Sequence, residues 1–478
     1  MPQQETDYIR VAIEGELRTR SPLHIGSGEE EVQTIDQPDG EAPESTRFNA
    51  LLKDGDGQPY IPGSTLRGLL RARCGDHAHL AEILFGEARQ KVDENRQINW
   101  PGHAGQLRVF DATPIGAAIE PERITRTSID PVTGAARQHH LATHEVVPPG
   151  ASFKLRLELD HVSDWEVQAV LGMLSDLGED PDGQLGKSKS TGQGWIEWKL
   201  GDVRVIHRND FLAFLRKEPA QPKQRRKRGK TPSALPTAGE MNALWKPLTL
   251  KPGSMSRRDW RGIEFALVPE GPVLINDPHR VTAAKGDGEA KLVYHRRADG
   301  RAEIPGATLK GWARGWCRRI LLTLQPALGD VRVDELLAEL FGGADHGMGA
   351  LRFESALAEN NVIHEQTFNA VDRFSGGVKP SALYTVEACW PERFSGRVHL
   401  REDKLPDWGR MLLLYLLRDA EEGDLVVGWG KAKGYGRLKL VQQAIDWKSW
   451  AAEKPEKLEA WDRALQARLE PEEEEAQA

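Results

Sequence analysis

The sequence predicts an α+β protein made of two tandem modules, each an antiparallel sheet with helices on one face. Three observations carry that reading. First, Tyr60-Ile61-Pro62-Gly63-Ser64-Thr65-Leu66-Arg67-Gly68 returns as Glu303-Ile304-Pro305-Gly306-Ala307-Thr308-Leu309-Lys310-Gly311. Second, a glycine–lysine loop closes each half. Leu185-Gly186-Lys187-Ser188-Lys189-Ser190-Thr191-Gly192-Gln193-Gly194 matches Trp429-Gly430-Lys431-Ala432-Lys433-Gly434-Tyr435-Gly436 once two residues are dropped. Both markers recur in the same order about 240 residues apart, the mark of a duplication. Third, strand-like and helix-like signals mix within each half, and the strands alternate instead of being apolar throughout, which suits sheets wetted on one face.

Taken in chain order, 11–18 reads as a strand, with 262–268 as its counterpart. The Pro-Gly-(Ser/Ala)-Thr-Leu segments open helices: Gly63 or Gly306 ends an extended stretch, and Ser64 or Thr308 is placed to cap the orphan amides. Residues 126–134 followed by 145–150, and 373–377 followed by Glu387 and Pro391, read as long protruding hairpins, with Pro131 and Gly134 supplying a turn. Residues 153–159 alternate strictly and predict a half-buried strand, and 393–400 is a weaker copy. Helices follow at 164–177 and 408–419.

Between the halves, Asn209 and Asp210 cap a short helix at 211–217, and 219–239 is rich in Pro, Lys, Arg and Ser, as an exposed linker would be. Leu458, Trp461, Leu465 and Leu469 fall on one face of an amphipathic helix before an acidic tail. The expected organisation is therefore module one at 7–205, a linker with a basic run at 206–254, module two at 255–442, and a C-terminal helix and tail at 443–478.

At 478 residues the chain has a length prior of about three domains. No stretch approaches the roughly 20 apolar residues of a membrane span, and the polar N-terminus does not read as a signal peptide. Three cysteines make no disulfide scaffold, which fits a reducing, cytoplasmic setting. Cys74, His77 and His79 are close in sequence but lack an evident fourth zinc ligand. The net charge is −8 although Lys223, Arg225, Arg226, Lys227, Arg228 and Lys230 form a basic run in the linker. A polyanion would have to be held by local patches, not by a global field. The basic run itself reads equally as a nucleic-acid contact or as solvated linker.

Local patches exist at two kinds of place. Gly192, Gly194, Gly434 and Gly436 let a backbone take positive φ and approach a ligand. Beside them Lys187 and Lys189, like Lys431 and Lys433, share one face if extended and suit successive phosphates, or else are solvated lysines on a glycine hairpin. The helix starts bring Arg67 and Arg71, or Lys310 and Arg314, next to a positive dipole end. The same pattern also serves as ordinary capping with surface basics.

Five segments in order, Pro22-Leu23-His24-Ile25-Gly26-Ser27-Gly28, Ile35-Asp36-Gln37-Pro38, residues 60–68, Leu84-Phe85-Gly86 and the terminal glycine loop, resemble the backbone subunits of type III CRISPR effector complexes in the repeat-associated mysterious protein (RAMP) superfamily. Module two resembles the family at 303–311, Leu340-Phe341-Gly342 and 428–436 but has Leu274-Ile275-Asn276-Asp277-Pro278 in place of the His-Ile-Gly-Ser-Gly turn. A fused pair is similar to type III-D-like systems.

The resemblance implies RRM/ferredoxin-like modules with a thumb hairpin that wedges into a guide–target duplex, Ile129 and Phe374 being the natural wedges. It implies partners (guide RNA, target RNA and other CRISPR effector subunits), with no membrane. RNA contacts would fall on His24, Arg67, Arg126, Lys187 and Lys189, and on Lys310, Arg373, Lys431 and Lys433. Asp36 would support cleavage of target RNA with a divalent cation, Mg2+ or Mn2+, through attack by the neighbouring 2′-hydroxyl. Without the family, Asp36 is a loop carboxylate before a proline. Asp277 and Asp287 stand where a second site would lie. The alternatives are a non-catalytic RNA scaffold, a metal-independent guide-processing ribonuclease using His24, and a duplicated sandwich enzyme acting on small ligands.

Overall fold

The computed structural model describes residues 7–35, 44–87, 102–130, 132–216, 241–254, 259–279, 290–297, 299–343, 345–379, 383–443 and 455–470. The strand expected at 11–18 runs over Tyr8–Thr19 and lies at the centre of an antiparallel sheet, between Ser152–Val162 and Ile196–His207. Leu107–Val109 and Thr113–Pro114 extend the sheet on one side. The alternation in 153–159 works as expected: Phe153, Leu155, Leu157 and Leu159 are buried, while Lys154 and Arg156 face out and meet Glu14. Helices α1 (Gly63–Arg73), α2 (Ala78–Phe85) and α3 (Asp164–Ser175) cover the apolar face. Leu66, Leu70, Leu84, Val167 and Val170 join the sheet residues in one core. The short helix after the sheet, α4 (Arg208–Arg216), starts near the expected cap.

Module two repeats this plan. Trp260–Pro269 is flanked by Phe394–Arg401 and Arg437–Gln443, and α5 (Gly306–Leu324), α6 (Asp330–Phe341) and α7 (Asp407–Glu422) pack on the buried face. The amphipathic C-terminal segment is α8 (Pro455–Leu469), which lies along α7 and buries Trp461, Leu465 and Leu469. The fold is thus α+β, two tandem ferredoxin-like modules. Each also carries a second, smaller sheet. In module one Gly26–Ile35, Glu44–Leu51, Ala136–Val146 and Glu122–Ile129 form it, and in module two Ala290–Val293, Tyr384–Cys389 and Ile363–Phe368 do. Among the described residues no helix is long and apolar enough to cross a membrane.

Two sequence expectations change. Ser64 and Thr308 do not cap their helices. The N-cap positions are Pro62 and Pro305, so the first amide belongs to a glycine, and its partner comes from a distant turn. Gly63 N donates to Asp111 Oδ1 at 2.7 Å and Gly306 N to Ser355 Oγ at 3.2 Å. Part of the expected linker also returns to module one. Lys246–Pro247 pairs with Ile196–His207, Leu248 and Leu250 pack on the module-one core, and Gly253 N donates to Gln168 O of α3.

The C-terminal helix is therefore a structural part of module two. Leu465 is fully buried, so Leu465→Ala should destabilise the protein by about 2–5 kcal/mol. Thermal unfolding should show this as a lowered midpoint, and an unchanged midpoint would mean that α8 does not dock.

Candidate nucleic-acid interface

The two glycine loops are equal in length and share the backbone hydrogen bonds that close them, so no residues drop out between them. Leu185 N donates to Gly194 O at 2.8 Å and Val427 N to Gly436 O at 2.9 Å. Gly194 N reaches Pro22 O and Gly436 N reaches Pro272 O, while Gln193 N meets Ser188 O as Tyr435 N meets Gly430 O. In this register Lys189 matches Lys431, Lys187 matches Trp429, and Thr191 matches Lys433. The sequence alignment of Gly186-Lys187 with Gly430-Lys431 is corrected accordingly. Glycine is needed where the chain turns back: Gly194 and Gly436 have φ of 81° and 77°, and a Cβ on either would lie 1.8 Å from the carbonyl of Leu185 or Val427.

Neither loop is extended. Lys189–Thr191 and Lys431–Lys433 each form a 3-10 turn, so Lys187 and Lys189 do not share one face. Lys187 is exposed, whereas Lys189 turns toward module two, where burial and the neighbouring Arg352 lower its pKa against the pull of Asp182.

That turn docks module one on module two. A Cβ on Gly192 would lie 2.8 Å from Phe353 O, and one on Gly306 would lie 2.6 Å from Thr191 O. Lys310 Nζ donates to Ser190 Oγ at 2.9 Å, and burial, then Arg314, pushes the Lys310 pKa down to about 8. Arg352 is buried, donates to Gln184 Oε1 and Asp182 Oδ1, both at 2.9 Å, and to Pro181 O, and lies over the Trp260 ring. Arg126 Nη1 donates to Thr191 Oγ1 at 3.2 Å, and burial lowers its pKa against the pull of Glu303. Arg126, Lys189 and Lys310 therefore gather at the junction between modules. Sequence reasoning missed Arg352, which stands in a short apolar strand, Leu351–Phe353, with no motif around it.

The remaining candidates separate by exposure. His24 is 4% exposed and lies behind the loop, its Nδ1 2.6 Å from Glu145 O and its ring edge-on to His144. Arg67 is partly buried, donates to Phe85 O at 2.5 Å and lies over the Phe85 ring. Lys431, Lys433 and Arg373 are exposed. Asp277 is nearly buried and holds a turn: its Oδ1 accepts from His279 N at 3.1 Å, and its Oδ2 is 3.4 Å from His295 Nδ1. Asp36 and Asp287 lie outside the described residues. Among the described residues there is no group of three or more His, Cys, Asp or Glu placed to hold a metal ion. Cys74 is buried beside Met173 Sδ at 3.9 Å, and burial pushes its thiol up to about 11.

Both expected hairpins form, as Glu122–Ile129 with Ala136–Val146 and as Ile363–Phe368 with Tyr384–Cys389. Their tips are the same turn. The Asp130 carboxylate accepts from the backbone N–H groups of Val132 and Thr133, and the Asp372 carboxylate accepts from those of Phe374 and Ser375. These donors hold both acids below the usual carboxylate range. Thus Phe374 corresponds to Val132, and Ile129 to Val371. Phe374 is 97% exposed, and Ile129, Val132 and Val371 are exposed as well.

Two tandem ferredoxin-like modules, each with a glycine loop, a basic helix start and a projecting hairpin, define a duplicated two-module protein. The model of the RAMP superfamily matches residues 16–197 and 268–439, one stretch in each module, and the chain belongs to that superfamily. It is accordingly a CRISPR-associated RNA-binding protein of the kind that works in complexes with RNA and other subunits. No curated protein matches the chain.

Burial holds His144 neutral, with its pKa lowered to about 4, helped by Arg126 and His24. The pKa values of His24 and His279 are lowered as well, chiefly by burial. The unfolded chain then binds more protons than the folded one below its histidine pKa of roughly 6.5. The contribution of these histidines should be flat above that value and turn destabilising as pH drops toward 4. His144→Val, which copies Val386 of module two, should flatten part of that fall in denaturant titrations at a series of pH values; an unchanged slope would contradict the buried, neutral His144.

Proposed function

We propose that the chain is a tandem backbone subunit of a type III effector complex, type III-D-like in its fusion, that holds guide RNA along both modules and cuts paired target RNA at module one. The observation that carries this reading is the repetition, in the same order, of the helix start, the hairpin tip and the loop. One chain thereby offers two copies of the same backbone frame, a turn and a wedge-like tip, each with exposed lysine on its loop. The internal junction supports it too. It joins the loop of module one to the helix start of module two, and among the described residues the atoms nearest a Cβ on Gly63 belong to its own module while nothing lies within 4 Å of a Cβ on Gly434. The two partners of that contact are thus presented again at the outer ends, where other subunits of a complex would meet them.

RNA would be read by pairing with the guide, and the protein would touch phosphates, 2′-hydroxyls and displaced bases. Lys187 and Lys431 are among the exposed loop lysines and would meet phosphates, with Arg373 and Phe374 at the hairpin tip for the displaced nucleotide. Asp36 follows the strand Gly26–Ile35. A divalent cation there, Mg2+ or Mn2+, would be held by Asp36 together with RNA oxygens and water, and would supply stabilisation of charge on the phosphate. The metal-independent reading needs an accessible acid–base group, and the burial of His24 counts against it. In module two the engagement of Asp277 with His279 and His295 favours binding without a second cut.

Asp36→Ala should abolish one cut in a guide-complementary RNA while binding persists, a rate loss of about 10² to 10⁴. EDTA should do the same to the parent. An unchanged product ladder would remove Asp36 from the reaction and favour the scaffold reading.

Lys187→Ala and Lys431→Ala should each weaken RNA association and lower the salt slope by about 0.7. Equal slopes in variants and parent would show that neither lysine meets a phosphate.

A further inference from the structure

The outer loop of module two carries an aromatic box that module one lacks. Lys433 Nζ lies 4.9 Å from the Phe368 ring centre, 5.3 Å from Tyr384 and 4.8 Å from Trp429, and donates to Tyr384 Oη at 2.5 Å. The rings brace one another: Phe368 stacks on Tyr384 at 5.4 Å, and Trp429 stands edge-on to Tyr384, Phe368 and Tyr435. Tyr435 is buried beneath, its hydroxyl donating to Gln366 Oε1 at 2.7 Å. Phe368, Tyr384 and Trp429 keep part of their surface exposed, and Lys433 is exposed. Among the described residues no carboxylate pairs with Lys433.

The shared register shows how specific this is. The positions of Trp429, Lys433, Phe368 and Tyr384 are held in module one by Lys187, Thr191, Arg126 and Ala142. There the site is closed by module two, whereas beside Gly434 it stands open.

We propose that this box seats one unpaired nucleobase of single-stranded RNA, with the base against the partly exposed rings and its phosphate on Lys433 and Lys431. Base–aromatic stacking is tolerant of sequence and strong in proteins that bind single strands. A cationic peptide is disfavoured as occupant, because Lys433 already fills the cation position of the box. An ammonium beside the Phe368 and Trp429 rings and at the Tyr384 hydroxyl, without a carboxylate, calls instead for an anion, and the rings call for a flat apolar surface beside it. A nucleotide supplies both. The inference rests on the RNA-binding reading and adds a base-reading contact in module two alone.

The test uses the full chain and two labelled oligoribonucleotides of equal length, oligouridine and its abasic counterpart. Tyr384→Ala should lower affinity for oligouridine about tenfold and leave affinity for the abasic strand unchanged, while Tyr384→Phe should bind both as the parent does. Irradiating the parent with 5-bromouridine-substituted oligouridine should crosslink Tyr384 or Trp429, which needs no variant to fold. Equal loss on both strands, no loss on either, or a crosslink map without these residues would overturn the seat. If the parent binds oligouridine but the box does not contribute, only this inference fails; if the parent binds neither strand, the RNA-binding reading fails with it. Unchanged RNA binding with lost association of a neighbouring subunit would make the box a protein-docking surface instead and overturn the proposal.

Discussion

Gly192 lies against the backbone of Phe353 to Ser355, and Thr191 O lies against Gly306. No side chain stands between the two modules at that point, so backbone meets backbone, and glycine on both sides is what permits the approach. Around this contact Arg352 is buried with three acceptors from the 181–184 turn and the Trp260 ring above it. A buried guanidinium is costly to leave unpaired, so the arrangement rewards one relative placement of the modules and penalises others. The positions of both hairpins and both loops follow from that placement.

The junction also decides which basic groups remain for RNA. It takes up Arg126, Lys189 and Lys310, three of the groups that a motif-based reading would put on phosphates. Of the loop and hairpin-tip candidates, Lys187, Lys431, Lys433 and Arg373 stay exposed, on a chain with a net charge of −8. Long-range attraction to a polyanion is weak in such a protein, and binding depends on placed contacts: turns, hairpin tips and exposed rings. That is consistent with a subunit that meets RNA within an assembly.

Much of the fold was legible in the sequence because the signals were periodic. Residues 153–159 alternate without a break, and Leu458, Trp461, Leu465 and Leu469 mark one helical face. The duplication was legible from the Pro-Gly-x-Thr-Leu repeat. The loop register was not, because the dipeptide Gly-Lys is a stronger visual anchor than Gly186 and Gly428, whose equivalence lies in positive φ and a close approach to the carbonyls of His24 and Leu274. Caps escaped because Asp111 and Ser355 lie far along the chain from the amides they satisfy. The return of Lys246–Pro247 to the first sheet escaped because a two-residue strand has no period to detect. The aromatic box was visible only in part: Trp429 and Tyr435 flank loop glycines, but Phe368 and Tyr384 join them through the pairing of a distant hairpin.

The central claim is that one chain presents two equivalent RNA-binding modules in fixed register. Ribonuclease footprinting of the guide RNA bound to this subunit tests it most directly. The account predicts two protected segments of similar length, separated by one regular interval of accessible nucleotides. A single protected segment, or protection without a repeat, would contradict it.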